Sequence, residues 1–328
     1  MKTFDVVGIG NPLVDFTVQV DDAFLLEFNL VKGQMHLIDA IKSKVFFDRI
    51  KNLQVTSSPG GSSANTLAGI SSLGGVTVFL GKIGSDEHGS FYEQSTILDG
   101  VFSRLSKHET ALTGHALAFI TPDSERTFAT HLGASMLFRK EDILEDDIAS
   151  SKILHLESYQ LEDKALLDTV LHAVKIAKTH EVKISLDLGD AALIIRNLVY
   201  FKEFIKQNVD YLFFNEHEAK AFTGKSNQDA LKEASNYCDF VVMKLGDKGS
   251  MIYFENKFYE FPAFPVNVQN TNGAGDMYVA GILYSLCHDI PIEKAGYLAS
   301  FAASQVVATS SARLNYMIDV EDFLKKLK

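Results

Sequence analysis

Short apolar runs alternate along this chain with longer stretches of helical spacing, the pattern of a layered α/β sheet. Uninterrupted apolar runs predict buried strands over residues 6–10, 76–81, 153–156, 183–188, 211–215 and 240–245. Between them, helices are predicted over 63–73, 164–179 and 217–223. In the second helix Leu167, Val170, Leu171 and Val174 recur at helical spacing and predict a sheet-facing stripe. Two places break the rhythm. Strand-like segments at 14–20 and 30–38 precede the first long helix, and 114–121 with 126–132 read as a hairpin around Thr121-Pro122-Asp123-Ser124-Glu125. These short strands predict one small sheet covering a cleft; the alternative is a pair of unrelated surface excursions.

Composition narrows the function classes. The 328 residues are 46% hydrophobic and 22% charged, with a net charge of −11, which argues against a nucleic-acid or anionic-membrane footprint. No run approaches the ~20 apolar residues of a membrane helix, and the N-terminus lacks a signal-peptide pattern, so a cytoplasmic location is expected. Cys238 and Cys287 stand far apart without metal-ligand spacing and read as reduced, buried thiols.

The richest chemistry lies in Asn270-Thr271-Asn272-Gly273-Ala274-Gly275-Asp276, where a small-residue turn follows an alternating Val266-Asn267-Val268 segment and opens an apolar helix. With no bulky side chain at Gly273, Ala274 and Gly275, a ligand reaches the free amides and positive dipole of a helix start. Asp276 beside such an anion hole suits a base that takes a proton from an attacking hydroxyl; the plain alternative is a first-turn carboxylate after an ordinary loop. Pro59-Gly60-Gly61-Ser62-Ser63-Ala64-Asn65 repeats the pattern, and Asn65 offers a donor and an acceptor to sugar hydroxyls, or serves a helix cap. Asn11 and Asp15 in Gly10-Asn11-Pro12-Leu13-Val14-Asp15 follow a buried strand and suit a diol; alone, Asp15 reads as solvated. Asn215 and Glu218, one turn apart, offer oxygens to Mg²⁺ or form a capping pair. Lys244-Leu245-Gly246-Asp247-Lys248-Gly249 gives a nucleotide passage or a hairpin turn.

Together and in this order, these segments resemble the PfkB, or ribokinase-like, carbohydrate and nucleoside kinases, from near residue 4 to near residue 315. The resemblance implies a doubly wound α/β/α sandwich with a small β-sheet lid: residues 1–10, 41–112 and 133–328 in the α/β domain, 11–40 and 113–132 in the lid. It makes Asp276 the catalytic base and the amides of Gly273, Ala274 and Gly275 the anion hole. Asn11, Asp15, Gly60, Gly61 and Asn65 fall where the family binds its sugar or ribose. Arg126, on a lid strand, either reaches the substrate or is a solvated strand charge. Asn215, Lys244, Gly246 and Gly249 fall at the ATP site, and Glu218 at Mg²⁺ through water. The implied activity is ATP-dependent phosphorylation of a primary hydroxyl by a monomer or homodimer, the acceptor a nucleoside or sugar. Residues 10–25 are most similar to the family's adenosine kinases. Ribokinase- or fructokinase-type sugar phosphorylation and a non-catalytic binding protein on the same fold are the alternatives. A nicotinamide enzyme is disfavoured, because Gly8-Ile9-Gly10-Asn11-Pro12 is not a G-x-G-x-x-G opening a helix.

Three departures stand out. Asn270 replaces the family's usual Asp, which speaks against K⁺ activation. Lys244 replaces a common Thr and offers an ammonium to a phosphate. Ser310-Ser311-Ala312-Arg313 replaces a glycine-rich ending, which leaves the adenine-side loop and the adenine contacts undefined.

Overall fold

A computed structural model describes residues 2–123 and 125–327. The first strands are β1 (Phe4–Ile9), β2 (Leu13–Gln19), β3 (Met35–Leu37), β4 (Val55–Pro59), β5 (Thr77–Gly84), β6 (Phe102–His108) and β7 (Gly114–Ile120). They are followed by β8 (Arg126–His131), β9 (Ser151–Glu157), β10 (Lys183–Asp187), β11 (Tyr211–Asn215), β12 (Phe240–Lys244), β13 (Ser250–Phe254) and β14 (Lys257–Phe261).

The large sheet runs β14-β13-β12-β11-β10-β9-β1-β5-β6, parallel from β12 to β6, with β13 and β14 added as an antiparallel edge. Its central strands are buried on both faces, which is why they read as continuous apolar runs. Strand order reverses at β1, whose neighbours are β5 on one side and β9 on the other. In such a sheet a crevice opens beyond the carboxyl ends of the strands at the reversal, the usual place for a ligand.

Helices Ser62–Ser72 and Ala274–Cys287 pack together over one face of the sheet. A side chain at Gly69 would press on Met277 and Ala280, so the glycine sets their close approach. On the opposite face, Lys164–Thr179 turns Leu166, Val170, Ala173, Val174 and Ala177 inward. Leu171, expected on that stripe, is 41% exposed. The stripe sits one position towards Leu166.

The second sheet has the order β3-β8-β7-β2-β4. Its fifth strand, β4, lies within the range expected to belong to the α/β domain, and the helix Ala40–Ile50 also packs on this sheet through Phe46 against Phe119. The Val266-Asn267-Val268 segment is not a strand: residues 262–268 are irregular and Val268 is 66% exposed, so its alternation has no partner edge. No described helix is long and apolar enough to cross a membrane.

Candidate active site

Two helix N-termini converge beyond the carboxyl ends of β1 and β9. The Ala274–Cys287 helix begins at Gly273, whose φ of 77° and contact with the Ala312 carbonyl exclude any side chain there. The Ala274 amide donates to the Thr271 carbonyl at 3.3 Å. Those of Gly273, Gly275 and Asp276 find no acceptor among the described residues. Unpaired donors at a helix start form a cradle for an anion.

Asp276 sits in that first turn. Ser62 Oγ donates to its Oδ1 at 2.5 Å, and Asn65 Nδ2 to its Oδ2 at 2.8 Å. Burial pushes the carboxyl above its ordinary range; the Ser62 and Asn65 hydrogen bonds and the Lys244 charge pull it back, while Asp187 adds to the rise. Asn65 is thus committed inside the chain, with Nδ2 on the base and Oδ1 accepting from Arg313 Nε at 2.8 Å.

The Ser62–Ser72 helix starts at Gly61, whose φ of 88° and closeness to the Asn11 carbonyl require glycine. Gly60 is needed for a different reason: a Cβ there would fall on the Asp15 carboxylate. Neither Asn11 nor Asp15 has a side-chain hydrogen bond among the described residues, which leaves both free for a ligand. Burial pushes Asp15 up to about 6 against the pull of Arg313.

At the ends of β10, β11 and β12, Lys244 Nζ meets Asp187 Oδ2 at 2.5 Å. Burial works against the Lys244 charge, but Asp187 and Glu218 more than offset it and hold the ammonium protonated. The amine lies close to Gly275, where a Cβ would be 3.6 Å from Nζ. Glu218 and Asn215 form a reciprocal cap. The Asn215 amide donates to Glu218 Oε2 at 2.8 Å and its Nδ2 to Oε1, while the Glu218 amide donates to Asn215 Oδ1. Burial and Asp187 push the Glu218 carboxyl up to about 7. Gly246 and Gly249, both at positive φ, shape the turn between β12 and β13. From the lid, Arg126 reaches over the cleft and donates to Asn270 Oδ1 at 3.4 Å through both Nη atoms.

The structure adds Glu157, Asp187, Ser62 and Arg313 to the residues singled out in the sequence. Glu157, at the end of β9, accepts from the Ser63 amide at 2.6 Å, and burial with the nearby Asp276 pushes it up to about 7. Glu157 and Asp187 are the last residues of β9 and β10, and the carboxyl end of a parallel strand is the position that marks such residues in an open α/β sheet.

The sequence model described as pfkB family carbohydrate kinase matches residues 27–318. The chain belongs to that family. As a pfkB-family kinase it is a phosphotransferase, of a family that takes nucleosides and sugars, and its doubly wound α/β fold is that of its relatives. Among these, the guanosine-inosine kinase of Escherichia coli is 29% identical over 87% of this chain and 77% of its own length. The 5-dehydro-2-deoxygluconokinase of Bacillus licheniformis is 27% identical over 98% of this chain and 96% of its own. The crystal structure of the adenosine kinase from Sinorhizobium meliloti superposes on this pfkB-family chain with a TM-score of 0.89 at 29% identity, each covered in full.

Proposed function

We propose that this kinase transfers the γ-phosphoryl group of ATP to the primary hydroxyl of a nucleoside, adenosine being the first candidate. The observation that carries this reading is Asp276, held by Ser62 and Asn65 at a helix mouth where the amides of Gly273, Gly275 and Asp276 lack acceptors among the described residues. In the reaction the acceptor hydroxyl gives its proton to Asp276 as its oxygen bonds to the γ-phosphorus, and the bond from phosphorus to the bridging oxygen breaks to release ADP. The amides of Gly273 and Gly275 face the charge that gathers on the transferring group. Lys244, beside Gly275, adds a positive charge on the nucleotide side.

Asn11 and Asp15 offer the acceptor's hydroxyls two polar groups with no competing side-chain hydrogen bond among the described residues. Asp15 pairs across the lid sheet with Ser58 and Ala116, and Thr17 with Thr56 and Ala118. Small side chains beside Asp15 would suit a flat base there. A sugar acceptor such as that named for the gluconokinase relative is the second reading, since Asn11 and Asp15 serve any vicinal diol.

No group of three or more His, Cys, Asp or Glu residues among those described is arranged to hold a metal directly. Glu218 offers hard carboxylate oxygens, each already accepting from Asn215, so a Mg²⁺ carried on the triphosphate would meet them through its waters and would neutralise phosphate charge. A K⁺ requirement is not part of this reading: Asn270 brings no charge, and its Oδ1 already accepts from Arg126 and from the Asn272 amide at 3.0 Å. We place the protein in the cytoplasm, where ATP is supplied.

ATP consumption measured with adenosine, guanosine, inosine, ribose, fructose and 5-dehydro-2-deoxygluconate tests the proposal. Selective turnover of adenosine is expected; turnover of a free sugar alone overturns the nucleoside assignment. Asp276→Asn is expected to lower kcat by at least about a thousandfold with ATP binding intact. A near-normal rate removes Asp276 as the base.

A further inference from the structure

Arg313 enters the site from the loop that follows the Ile292–Val307 helix, and its side chain is 4% exposed. Each guanidinium nitrogen donates to a partner from one of two other parts of the chain, the start of the Ser62–Ser72 helix and Asp99. Nη1 donates to Asp99 Oδ2 at 2.7 Å, Nη2 to the Gly60 carbonyl at 2.9 Å, and Nε to Asn65 Oδ1 at 2.8 Å. Its carbon lies 5.9 Å from the centre of the Tyr92 ring, and the Tyr92 hydroxyl donates to the same Gly60 carbonyl at 2.8 Å.

The bond to Asn65 has a consequence for the base. The two ends of a carboxamide have nearly the same size, so shape alone does not decide which end faces Asp276. Arginine donates and never accepts. With Nε aimed at Asn65, the oxygen must face Arg313 and the nitrogen must face Asp276. Flipped, the amide would set its oxygen against the carboxylate and its NH₂ against the guanidinium. Asn65 is the one donor to Asp276 Oδ2 among the described residues, and Ser62 alone serves Oδ1. The other charged groups near the base are Lys244 from β12, Asp187 from β10 and Glu157 from β9. Lys244 is held by Asp187, and Glu157 is engaged with the Ser63 amide and Gln160.

We propose that Arg313 is a positioning residue, which fixes the Asn65 amide and thereby aims Asp276 at the acceptor hydroxyl. The inference rests on the kinase reading of the same site and deepens it. Through Gly60, which borders Asp15, the same guanidinium also fixes the floor under the acceptor. The loop carrying Arg313 in turn presses Ala312 against Gly273 at the anion cradle. One side chain thus ties the acceptor pocket to the phosphate side. Lysine keeps the charge but offers a compact ammonium in place of the fork, and cannot reach all three acceptors.

The test uses the full chain with Arg313→Lys, Asn65→Ala and the double variant. The Asn65 side-chain NH₂ signal in ¹H–¹⁵N spectra is assigned by its disappearance in Asn65→Ala. In the native protein it is expected to exchange slowly with water, and in Arg313→Lys at least about tenfold faster. In the ATP-consumption assay, Arg313→Lys is expected to lose about ten- to a hundredfold in kcat with the KM for ATP unchanged. The double variant is expected to be no slower than Asn65→Ala. An Asn65 signal unaltered in Arg313→Lys, or kcat losses that multiply in the double variant, overturns the proposal. Should Arg313→Lys fail to fold, Asn65→Ala decides, because it leaves the other Arg313 partners in place; native kcat in that variant overturns the proposal. If the kinase reading itself is wrong, the native protein shows no acceptor-dependent ATP consumption, whereas the exchange measurement still reports the hold of Arg313 on Asn65.

Discussion

Glu157 is 3% exposed and has no basic partner within hydrogen-bonding distance among the described residues; its oxygens accept from the Ser63 amide and from Gln160 Nε2 at 3.3 Å. Its carboxyl lies at about 7 in the folded chain against an ordinary 4.5, raised first by burial and then by Asp276. The folded state therefore binds the proton more tightly than the unfolded one. Stability contributed by the neutral form is intact below about pH 4.5 and declines as pH rises towards 7, a loss of about 3 kcal/mol for one such group. Glu157→Gln keeps an acceptor for Ser63 and turns an NH₂ towards Gln160 Oε1, a buried atom with no partner of its own. That variant is expected to melt above the native protein at pH 8 and level with it at pH 5. Equal melting temperatures at pH 8 would refute the assignment. Which single residues matter was only half legible in the sequence. Asp276 and the glycines announce themselves because a small-residue turn opening a helix needs them. Asn65, by contrast, is held within the chain by Arg313 and Asp276, and no local pattern reveals partners 248 and 211 positions away.

At the scale of elements, the site depends on two helices starting side by side. Gly69 makes this possible, because a Cβ there would lie 2.7 Å from Met277 Sδ and 2.8 Å from the Ala280 Cβ. Gly69→Val must wedge the Ser62–Ser72 and Ala274–Cys287 helices apart, lengthening the Ser62 and Asn65 bonds to Asp276. A fall in kcat of about a hundredfold is expected, together with a lower melting temperature, since overpacking costs about 1–3 kcal/mol. Unchanged kinetics would show that the helix pair adapts without moving the base. The central strands were visible in the sequence because burial on both faces makes them continuously apolar. Strands β4 and β6 were not. In β4, Val-Thr-Ser-Ser-Pro offers no apolar face, and β6 alternates with only Leu105 buried; both are edge strands whose pairing comes from the sheet beside them.

The whole molecule is an α/β/α sandwich with a second sheet folded over its ligand edge, and the lid's arrival at the site depends on long-range contacts. Ser43 and His115 illustrate this: they lie 2.6 Å apart across the lid interior, and burial pushes His115 down to about 4, so its imidazole stays uncharged in the neutral range. What joins the lid edge to the phosphate side is the pair Arg126 and Asn270. Both guanidinium Nη atoms approach one neutral oxygen at 3.4 Å, the long end of the hydrogen-bond range, and this weak tie can be released in every cycle. Asn270→Asp would convert it into a charge-assisted fork. A lid held down more firmly admits and releases ligands more slowly, so kcat is expected to fall several-fold where release limits turnover. Because the new attraction is between partly exposed charges, the loss should shrink as ionic strength rises from about 0.05 to 0.5 M, where the Debye length drops well below 10 Å. Stopped-flow measurement of product release at the two salt concentrations separates this effect from simple damage to the loop. A rate loss that ignores salt, or a variant that turns over faster than the native protein, would mean that Arg126 is not the latch.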